Sequence, residues 1–295
     1  MKKTVFTGAG IAVVTPMFAD GSIDWESYGR LLDWQIDNNA DAIIVCGTTG
    51  ESSTLSDEEH IESIRFVQNR VNGRIPVIAG AGSNETAYAV KLAKESKALG
   101  VDGILVVTPY YNKTSQRGLV AHYNAIADAT DLPIILYSVP SRTGVNITPA
   151  TCKELSKHPN IVAVKEASGN IAQLASIRHL CGDDLDVYSG NDDMIVPTLS
   201  LGGKGVISVL ANICPKETHD MCQLFFEGKV KEAEKLQLDY LDLINALFID
   251  VNPIPAKEAV AAMGYGTSFC RMPLFEMAEE DKQVLINAMK AHKVI

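Results

Sequence analysis

The chain has 295 residues, of which 46% are hydrophobic and 21% are charged, and this balance is typical of a folded protein rather than a disordered one. Its formal net charge is -10 and no cluster of Lys or Arg interrupts the acidity, which argues against nucleic-acid and anionic-membrane partners. Six cysteines lie scattered without a C-x-x-C pair, so we expect reduced thiols in a cytoplasmic protein rather than disulfides or a zinc site. No apolar stretch approaches the roughly 18 residues of a transmembrane helix, and we expect a soluble protein.

Eight short runs rich in Val and Ile recur along the chain, and their apolar residues are continuous rather than alternating. Continuous runs of this length are typical of parallel strands that are buried on both faces of a sheet. The predicted strands are residues 10–15, 42–46, 75–79, 103–108, 133–137, 161–165, 185–190 and 205–210.

Helical patterns lie between these strands. In Asp57–Val71 the apolar residues recur at spacings of three and four, which predicts a helix with one buried stripe. Ser56 and Glu59 form a predicted capping box at its start. Asn84 and Thr148 are predicted N-caps of later helices.

The repeated strand–helix units predict an α/β fold, a (β/α)8 TIM barrel over residues 1–225. The main competitor is a doubly wound sheet, which usually carries a glycine fingerprint after its first strand, and this chain lacks one. Beyond Phe226 the strand signals stop, and residues 226–295 are predicted to form a C-terminal helical appendage with a packing or oligomerisation role. Its three predicted helices are residues 229–248, 254–263 and 279–290.

Several chemical motifs are absent from the sequence or have a plainer interpretation. The six histidines are far apart, and there is no Walker A, G-x-S-x-G or H-E-x-x-H motif, so we expect no metal site. Asp192 and Asp193 stand at a predicted helix start, where an N-cap and macrodipole role is favoured over a metal pair. The glycine-rich run at 202–205 is predicted to end a helix rather than to hold a phosphate.

Polar side chains follow several predicted strands, at the end where barrels place their active sites. Thr48 and Thr49 come after the second strand, between glycines that let the backbone approach a ligand. Tyr137 ends the fifth strand, Arg142 lies in the segment after it, and Lys165 ends the sixth strand. Because these strand ends meet at one rim of a barrel, we expect the five side chains to form one site.

Lys165 is the most informative of these residues. Most lysines are solvated, whereas an ammonium at the mouth of an apolar barrel is partly desolvated, which favours the neutral, nucleophilic amine. A neighbouring tyrosine and a pair of threonines could relay protons, and an arginine could clamp a carboxylate with two parallel hydrogen bonds. The residues therefore predict Schiff-base activation of a keto acid.

Five segments in combination resemble the pyruvate-dependent class I aldolase/lyase superfamily, and within it the dihydrodipicolinate synthase family. They are residues 47–51, 107–111, 137–144, 164–169 and 252–257. The Gly-Thr-Thr-Gly-Glu run of the first segment alone is typical of the whole superfamily. The resemblance implies a lyase that condenses pyruvate with L-aspartate 4-semialdehyde in the diaminopimelate route to lysine, without a metal or organic cofactor.

The resemblance also implies roles for residues of the site. Lys165 forms the imine with pyruvate, and Thr48, Thr49 and Tyr137 relay protons, while Thr49 also binds substrate. Tyr111 reaches into the site of a neighbouring subunit. The protein is therefore expected to be a homo-oligomer, at least a dimer, with a tetramer favoured.

Three further positions complete the implied substrate site. Arg142 binds the carboxylate of aspartate semialdehyde at the mouth, and Gly190 and Ile207 supply main-chain contacts around pyruvate. Ser138 departs from the asparagine that the family often has before Val-Pro. We expect this change to leave the chemistry untouched.

Lysine-sensitive members of the family carry a regulatory pocket at a subunit interface, and six positions of this chain can be matched to it. They are Ser52, Asp57, His60, Asn84, Tyr88 and Tyr110. Asp57 stands where sensitive bacterial relatives have histidine, and Tyr88 stands where they have glutamate. Because a buried ammonium needs a charged partner, the missing glutamate predicts weak or absent inhibition by lysine.

Two other functions remain open at this point. N-acetylneuraminate lyase and the 2-keto-3-deoxy-sugar-acid aldolases share the barrel, the lysine and the tyrosine, but their second substrates present hydroxyls, whereas Arg142 suits a carboxylate. A catalytically silent barrel that binds a metabolite would not need Lys165, Tyr137 and Arg142 together. The condensation of pyruvate with the amino-acid aldehyde is therefore favoured.

Overall fold

The computed structural model describes residues 2–295 and contains eight parallel strands that close into a barrel in chain order. The strands are β1 (Gly8–Ala12), β2 (Ala42–Val45), β3 (Val77–Gly80), β4 (Gly103–Val107), β5 (Ile134–Ser138), β6 (Ile161–Glu166), β7 (Asp186–Ser189) and β8 (Gly205–Ser208). Strand β1 pairs with both β2 and β8, which closes the sheet. The predicted (β/α)8 barrel is confirmed, and each predicted strand overlaps an observed one.

The first strand lies further toward the N-terminus than its apolar run predicted. It begins at Gly8, where φ is +107°, a backbone conformation that glycine adopts without strain. A Cβ at Gly8 would lie 2.1 Å from Asp41 Oδ2, so this start also needs a residue without a side chain. Beyond Ala12, Val13 N still donates to Ile44 O at 3.2 Å before the chain leaves the sheet.

The helices surround the barrel and then continue beyond its last strand. They are α1 (Trp25–Asp37), α2 (Asp57–Val71), α3 (Thr86–Ala98), α4 (Gln116–Ala127), α5 (Pro140–Thr143), α6 (Pro149–Leu155), α7 (Ile171–Cys181), α8 (Ile195–Ser200), α9 (Pro215–Phe226), α10 (Val230–Asp239), α11 (Leu241–Ala246), α12 (Ile254–Ala262) and α13 (Glu279–Ala291). No helix within residues 2–295 combines the length and apolarity that crossing a membrane requires.

Most of the predicted helix ends are confirmed. The capping box of α2 is present, because Glu59 N donates to Ser56 Oγ at 3.2 Å and Ser56 N donates to Glu59 Oε2 at 2.9 Å. Thr148 caps α6 by accepting from Thr151 N. The glycine-rich run follows α8 as expected, with Gly203 N donating to the Thr198 carbonyl at 3.0 Å.

The predicted N-cap at Asn84 is wrong. Helix α3 begins at Thr86 after Glu85, and the Asn84 side chain does not cap it. The carbonyl of Asn84 instead accepts a hydrogen bond from Asn112 Nδ2 at 2.9 Å. Asn84 therefore takes part in a contact between two loops, and it stands one residue before the N-cap position of α3, which is Glu85.

The predicted single helix over residues 229–248 is also wrong, because the chain breaks between α10 and α11 at Tyr240. The ring of Tyr240 lies 4.4 Å, centroid to centroid, from the ring of His292. His292 Nε2 is in turn 2.8 Å from Asp242 Oδ1. Packing against the C-terminal tail thus sets a break that the apolar spacing did not show.

The barrel interior forms a core separate from the layer between strands and helices. Its side chains come from all eight strands and from the segments next to them. They are Phe6, Ala12, Ala42, Ile44, Ile78, Leu105, Ile135, Tyr137, Val139, Val162, Ala163, Tyr188 and Ile207. A filled interior leaves room for chemistry only at the rim.

Candidate active site at the carboxyl end of the barrel

Lys165 and Tyr137 are neighbours across two paired strands. In the register of β5 and β6, Tyr137 lies opposite Lys165, and Lys165 Nζ lies 4.4 Å from the centroid of the Tyr137 ring. Both residues are buried, with 5% and 7% of their surfaces exposed. Within residues 2–295, Lys165 forms no ion pair, and its amine lies over the aromatic face of Tyr137.

The two threonines lie in a tight turn after β2. Gly50 N donates to the Gly47 carbonyl at 3.2 Å, and Glu51 N donates to the Thr48 carbonyl at 3.1 Å. Thr15 Oγ donates to the Gly50 carbonyl at 2.8 Å and ties this turn to the segment after β1. The turn leaves Thr48 half-buried and Thr49 only 2% exposed.

A buried ion pair holds the end of this turn. Lys257 Nζ on α12 donates to Glu51 Oε1 at 2.5 Å, and Arg271 N donates to Glu51 Oε2 at 3.0 Å. The side chains of Lys257 and Glu51 are 1% and 0% exposed. Helices beyond the barrel therefore contact the active-site turn directly.

Arg142 lies on the short helix α5, which begins with Pro140 and ends at Gly144 in the left-handed conformation. Its side chain is exposed, and its Nη2 donates to the Asn252 carbonyl at 3.0 Å. Asn252 Nδ2 donates to Thr49 Oγ at 3.0 Å. Arg142 and Thr49 are thus connected through one residue of the C-terminal region.

Two adjoining cavities open among these residues. The smaller, about 50 Å³, is lined by Tyr137 and Thr48. The larger, about 260 Å³, is lined by Thr48, Arg142 and Tyr110. Thr48, Tyr137 and Arg142 thus share these cavities. Lys165 joins them through its contact with Tyr137, and Thr49 joins them through Asn252, so the five side chains lie at one rim of the barrel.

Gly190 and Ile207 lie beside this group. Gly190 N donates to the Glu166 carbonyl at 2.7 Å, and a Cβ at Gly190 would lie 2.5 Å from the Ala167 Cβ. The position therefore requires glycine. Ile207 is 1% exposed in the barrel interior. Main-chain contacts of either residue to pyruvate stay a prediction.

Asp192 does not cap the helix at whose start it stands, so the predicted N-cap role is wrong for this residue. Its Oδ2 accepts from Val209 N at 3.0 Å and from Leu210 N at 2.9 Å, and it therefore caps the turn after β8. Burial raises the pKa of the Asp192 carboxyl, against the lowering effects of Ser208, the two backbone donors and Lys165. It is a buried acid within electrostatic range of the lysine.

Tyr111 extends away from its own barrel. It is 91% exposed, and its φ of +68° lies in the left-handed region, which is unusual for an aromatic residue. The neighbouring Tyr110 is 37% exposed and lines the larger cavity. The structure therefore does not place Tyr111 with Lys165 and Tyr137 of the same chain.

Four of the six candidate regulatory residues line the larger cavity, namely Ser52, His60, Tyr88 and Tyr110. Asp57 lies at its edge, where Oδ1 accepts from Tyr88 Oη at 2.6 Å and Oδ2 accepts from Lys91 Nζ at 2.7 Å. These hydrogen bonds, that from Lys91 first, hold the pKa of the Asp57 carboxyl below its usual value. Asn84 is not part of this cavity lining.

His60 is buried beneath the same cavity. Its Nε2 lies 2.8 Å from the Gly80 carbonyl, and burial lowers the pKa of the imidazole. A neutral ring that is held by a backbone carbonyl lines the cavity as a structural residue rather than as a metal ligand. Within residues 2–295, no three His, Cys, Asp or Glu side chains lie close enough together to hold a metal ion.

Three residues that contact the site were assigned no role from the sequence: Glu51, Asn252 and Lys257. Lys257 carried a signal, because it is the single charged residue besides Glu258 in the apolar helix α12. A lysine in such a helix needs a buried partner. The partner lies 206 positions away, so nothing in the local pattern could identify it.

Comparison with known proteins gives one consistent result. The dihydrodipicolinate synthetase family matches residues 5–292. The chain is 58% identical, over 97% of its own length and 96% of the relative's, to the 4-hydroxy-tetrahydrodipicolinate synthase of Caldicellulosiruptor saccharolyticus. It superposes with a TM-score of 0.96 on a lysine-bound dihydrodipicolinate synthase of Cyanidioschyzon merolae, at 44% identity over 99% of this chain and 100% of that one. A monomeric dihydrodipicolinate synthase variant gives a TM-score of 0.96 at 41% identity over 99% of this chain and 98% of that one.

Proposed function

Because this chain belongs to the dihydrodipicolinate synthetase family, we propose that it is the lyase that condenses pyruvate with L-aspartate 4-semialdehyde. The product is 4-hydroxy-tetrahydrodipicolinate, on the diaminopimelate route to lysine. The observation that carries the proposal is a buried lysine without a counter-ion, 4.4 Å from the ring of Tyr137. A buried amine of this kind is the group that forms an imine with a keto acid.

The reaction proceeds through a covalent intermediate. Lys165 Nζ attacks C2 of pyruvate, water leaves, and the protonated imine draws electrons from the methyl group, which loses a proton to give an enamine. The enamine carbon bonds to the aldehyde carbon of the second substrate, whose oxygen takes up a proton. The substrate's own amine then displaces Lys165 and closes the ring. Thr48, Thr49 and Tyr137 relay the protons, and no metal or organic cofactor takes part.

Borohydride reduction in the presence of pyruvate tests the imine. We expect the reduced adduct on Lys165 when the peptides are mapped by mass spectrometry, since other lysines are solvated, ion-paired like Lys257, or bonded to backbone carbonyls like Lys2. A reduced adduct on a different lysine, or no adduct, would overturn the assignment.

Arg142 distinguishes this function from the sugar-acid aldolases. Its guanidinium at the edge of the larger cavity suits the carboxylate of aspartate semialdehyde, whereas sugars present hydroxyls. We expect Arg142→Ala to lower kcat/KM for the aldehyde about 30- to 1000-fold, with pyruvate trapping on Lys165 almost unchanged. An equal loss in both half-reactions would contradict this role.

We further propose that the protein is a homo-oligomer, at least a dimer, in which Tyr111 completes the proton relay of a partner. Its exposure and left-handed backbone support a position in an interface. Mixing inactive Tyr111→Phe and Lys165→Ala chains should restore activity through hybrid dimers. Demonstrated subunit exchange without recovery would exclude the shared site.

Feedback by lysine is proposed to be weak. Tyr88 supplies no negative charge, and the one carboxylate at the cavity edge, Asp57, is already paired with Lys91, so a bound ammonium would compete with an ammonium of the chain itself. A cation–π contact to Tyr88 recovers only about 0.5 to 2 kcal/mol. Titrating lysine into the assay decides the point, and half-inhibition at submillimolar lysine would contradict it.

We also propose that residues 1–225 carry the chemistry and that residues 226–295 pack on them. A cytoplasmic location is proposed from the substrates and from six cysteines without disulfide spacing.

A further inference from the structure

Thr49 is held by a donor that lies 203 positions further along the chain. Asn252 Nδ2 donates to Thr49 Oγ at 3.0 Å, while the carbonyl of the same asparagine accepts from Arg142 Nη2 at 3.0 Å. Asn252 is 6% exposed and Thr49 is 2% exposed, so bulk water does not compete for the bond between them. One residue of the C-terminal region therefore contacts two groups of the active site.

The amide nitrogen of Asn252 faces Thr49 Oγ, and this orientation sets the direction of the bond. An amide NH₂ only donates, whereas a hydroxyl carries one proton and two lone pairs. Asn252 Nδ2 thus occupies a lone pair of Thr49 Oγ and leaves the hydroxyl proton unused. Within residues 2–295 the Thr49 side chain donates to no protein group, so its proton is free for an acceptor on a bound substrate.

Both partners of the bond are held in place by the buried pair described above. Glu51 follows Thr49 by two residues, and Lys257 lies in the first turns of α12, where its N–H donates to the Pro253 carbonyl at 2.9 Å. The Lys257–Glu51 ion pair, 2.5 Å from Nζ to Oε1, therefore clamps the threonine turn to the segment that begins at Asn252. The pair is neutral overall, and the guanidinium of Arg142 contacts Asn252 through its carbonyl.

On the basis of the proposed function, we infer that Asn252 is a positioning residue that makes Thr49 a hydrogen-bond donor toward the carboxylate of bound pyruvate. A carboxylate only accepts hydrogen bonds. A threonine hydroxyl that already donated to a protein group could not donate to it. The inference assigns the C-terminal region a part in substrate binding besides packing.

Asn252→Asp tests the direction of the bond. An aspartate carboxylate would accept a hydrogen bond from the Thr49 hydroxyl, which would then no longer donate to pyruvate. We therefore expect KM for pyruvate to rise about 10- to 100-fold at a pH near 8. As the pH falls and the new carboxyl takes up a proton, it becomes a donor again and KM should return toward the wild-type value. The wild-type enzyme should show no such change in KM, and a purely structural defect would not reverse with pH.

Asn252→Ala and Thr49→Val make the test independent of whether the aspartate variant folds. Asn252→Ala removes the donor without adding an acceptor, so we expect a smaller, pH-independent rise in KM for pyruvate. In a Thr49→Val background the same change should have no further effect, because its target is gone. Equal effects of Asn252→Ala in both backgrounds, or an Asn252→Asp variant with wild-type KM at every pH, would overturn the inference.

The wild-type trapping experiment distinguishes a failure of the proposed function from a failure of the role inferred for Asn252. If pyruvate is not trapped on Lys165 of the wild-type protein, the proposed function itself fails. If it is trapped, and saturating pyruvate still labels Lys165 in the folded Asn252 variants without the expected changes in KM, only the role of Asn252 fails.

Discussion

Two sets of polar side chains, one at each end of the barrel, differ in their hydrogen bonding. At the amino end, Asp41 Oδ2 accepts from Ala9 N at 2.7 Å and lies 2.8 Å from His219 Nδ1. At the carboxyl end, within residues 2–295, the amine of Lys165 and the hydroxyl of Tyr137 have no hydrogen-bond partner in the protein. Paired polar groups stabilise a fold, whereas the amine and the hydroxyl at the carboxyl end are free to bond a ligand. Asp41 and His219 therefore hold the barrel, and Lys165 and Tyr137 are available for the proposed chemistry.

The largest effect expected from this comparison follows from Lys165→Met. The loss of the proposed nucleophile should lower kcat by at least about 10⁴-fold. The free energy of unfolding should stay level or rise, because the substitution breaks no ion pair and no hydrogen bond within the protein and keeps an unbranched side chain of similar length. Steady-state kinetics and urea unfolding measure the two quantities separately.

Lys257→Met is the matched control, the same substitution at a buried lysine that has a partner. Here the carboxylate of Glu51 stays behind without its cation, which should cost about 3 to 5 kcal/mol of the free energy of unfolding. Similar destabilisation by both variants would show that pairing does not separate the two lysines.

What could be predicted from the sequence depends on whether the residues concerned are close together or far apart in the chain. The strands and the position of five polar side chains at one rim were predictable, because continuous apolar runs and the polar residues that end them lie next to each other in the chain. The break at Tyr240 and the contact of Asn252 with Thr49 were not, because both depend on segments far apart in sequence. Asp192 shows the limit for a single residue, since its position at a helix start predicted a cap for the wrong element.

A smaller effect is expected at the paired end from Gly8→Ala. The φ of +107° and a Cβ 2.1 Å from Asp41 Oδ2 combine backbone strain with displacement of a carboxylate that holds Ala9 N. We expect the free energy of unfolding to fall by roughly 2 to 4 kcal/mol, while kcat of the folded enzyme stays near wild type.

Gly73→Ala is the control for backbone strain alone. Gly73 has φ +73° and no heavy atom within 4 Å of an added Cβ, so it should cost only about 1 kcal/mol. Equal losses at the two glycines would mean that the Asp41 contact contributes nothing. A loss of kcat without a loss of stability in Gly8→Ala would contradict the division between the two ends.

The smallest effect is expected from the pH dependence of the Asp41–His219 pair. The hydrogen bond with Asp41, followed by the charges of Asp41 and Asp220, raises the pKa of His219 above its usual value, against burial and Lys216. A raised pKa in the folded state means that this contribution to stability is complete below a pH of about 6.5 and is lost as the pH rises through the folded-state pKa. Because the side chains are partly exposed, the contribution should be below about 1 kcal/mol.

Urea unfolding of the wild type and His219→Asn across neutral to mildly alkaline pH should therefore show a stability difference that shrinks as the pH rises. His60, whose pKa is lowered by burial, acts in the opposite direction but is common to both proteins and cancels. A difference that stays constant or grows with pH would show that the pair is held by neutral hydrogen bonding alone.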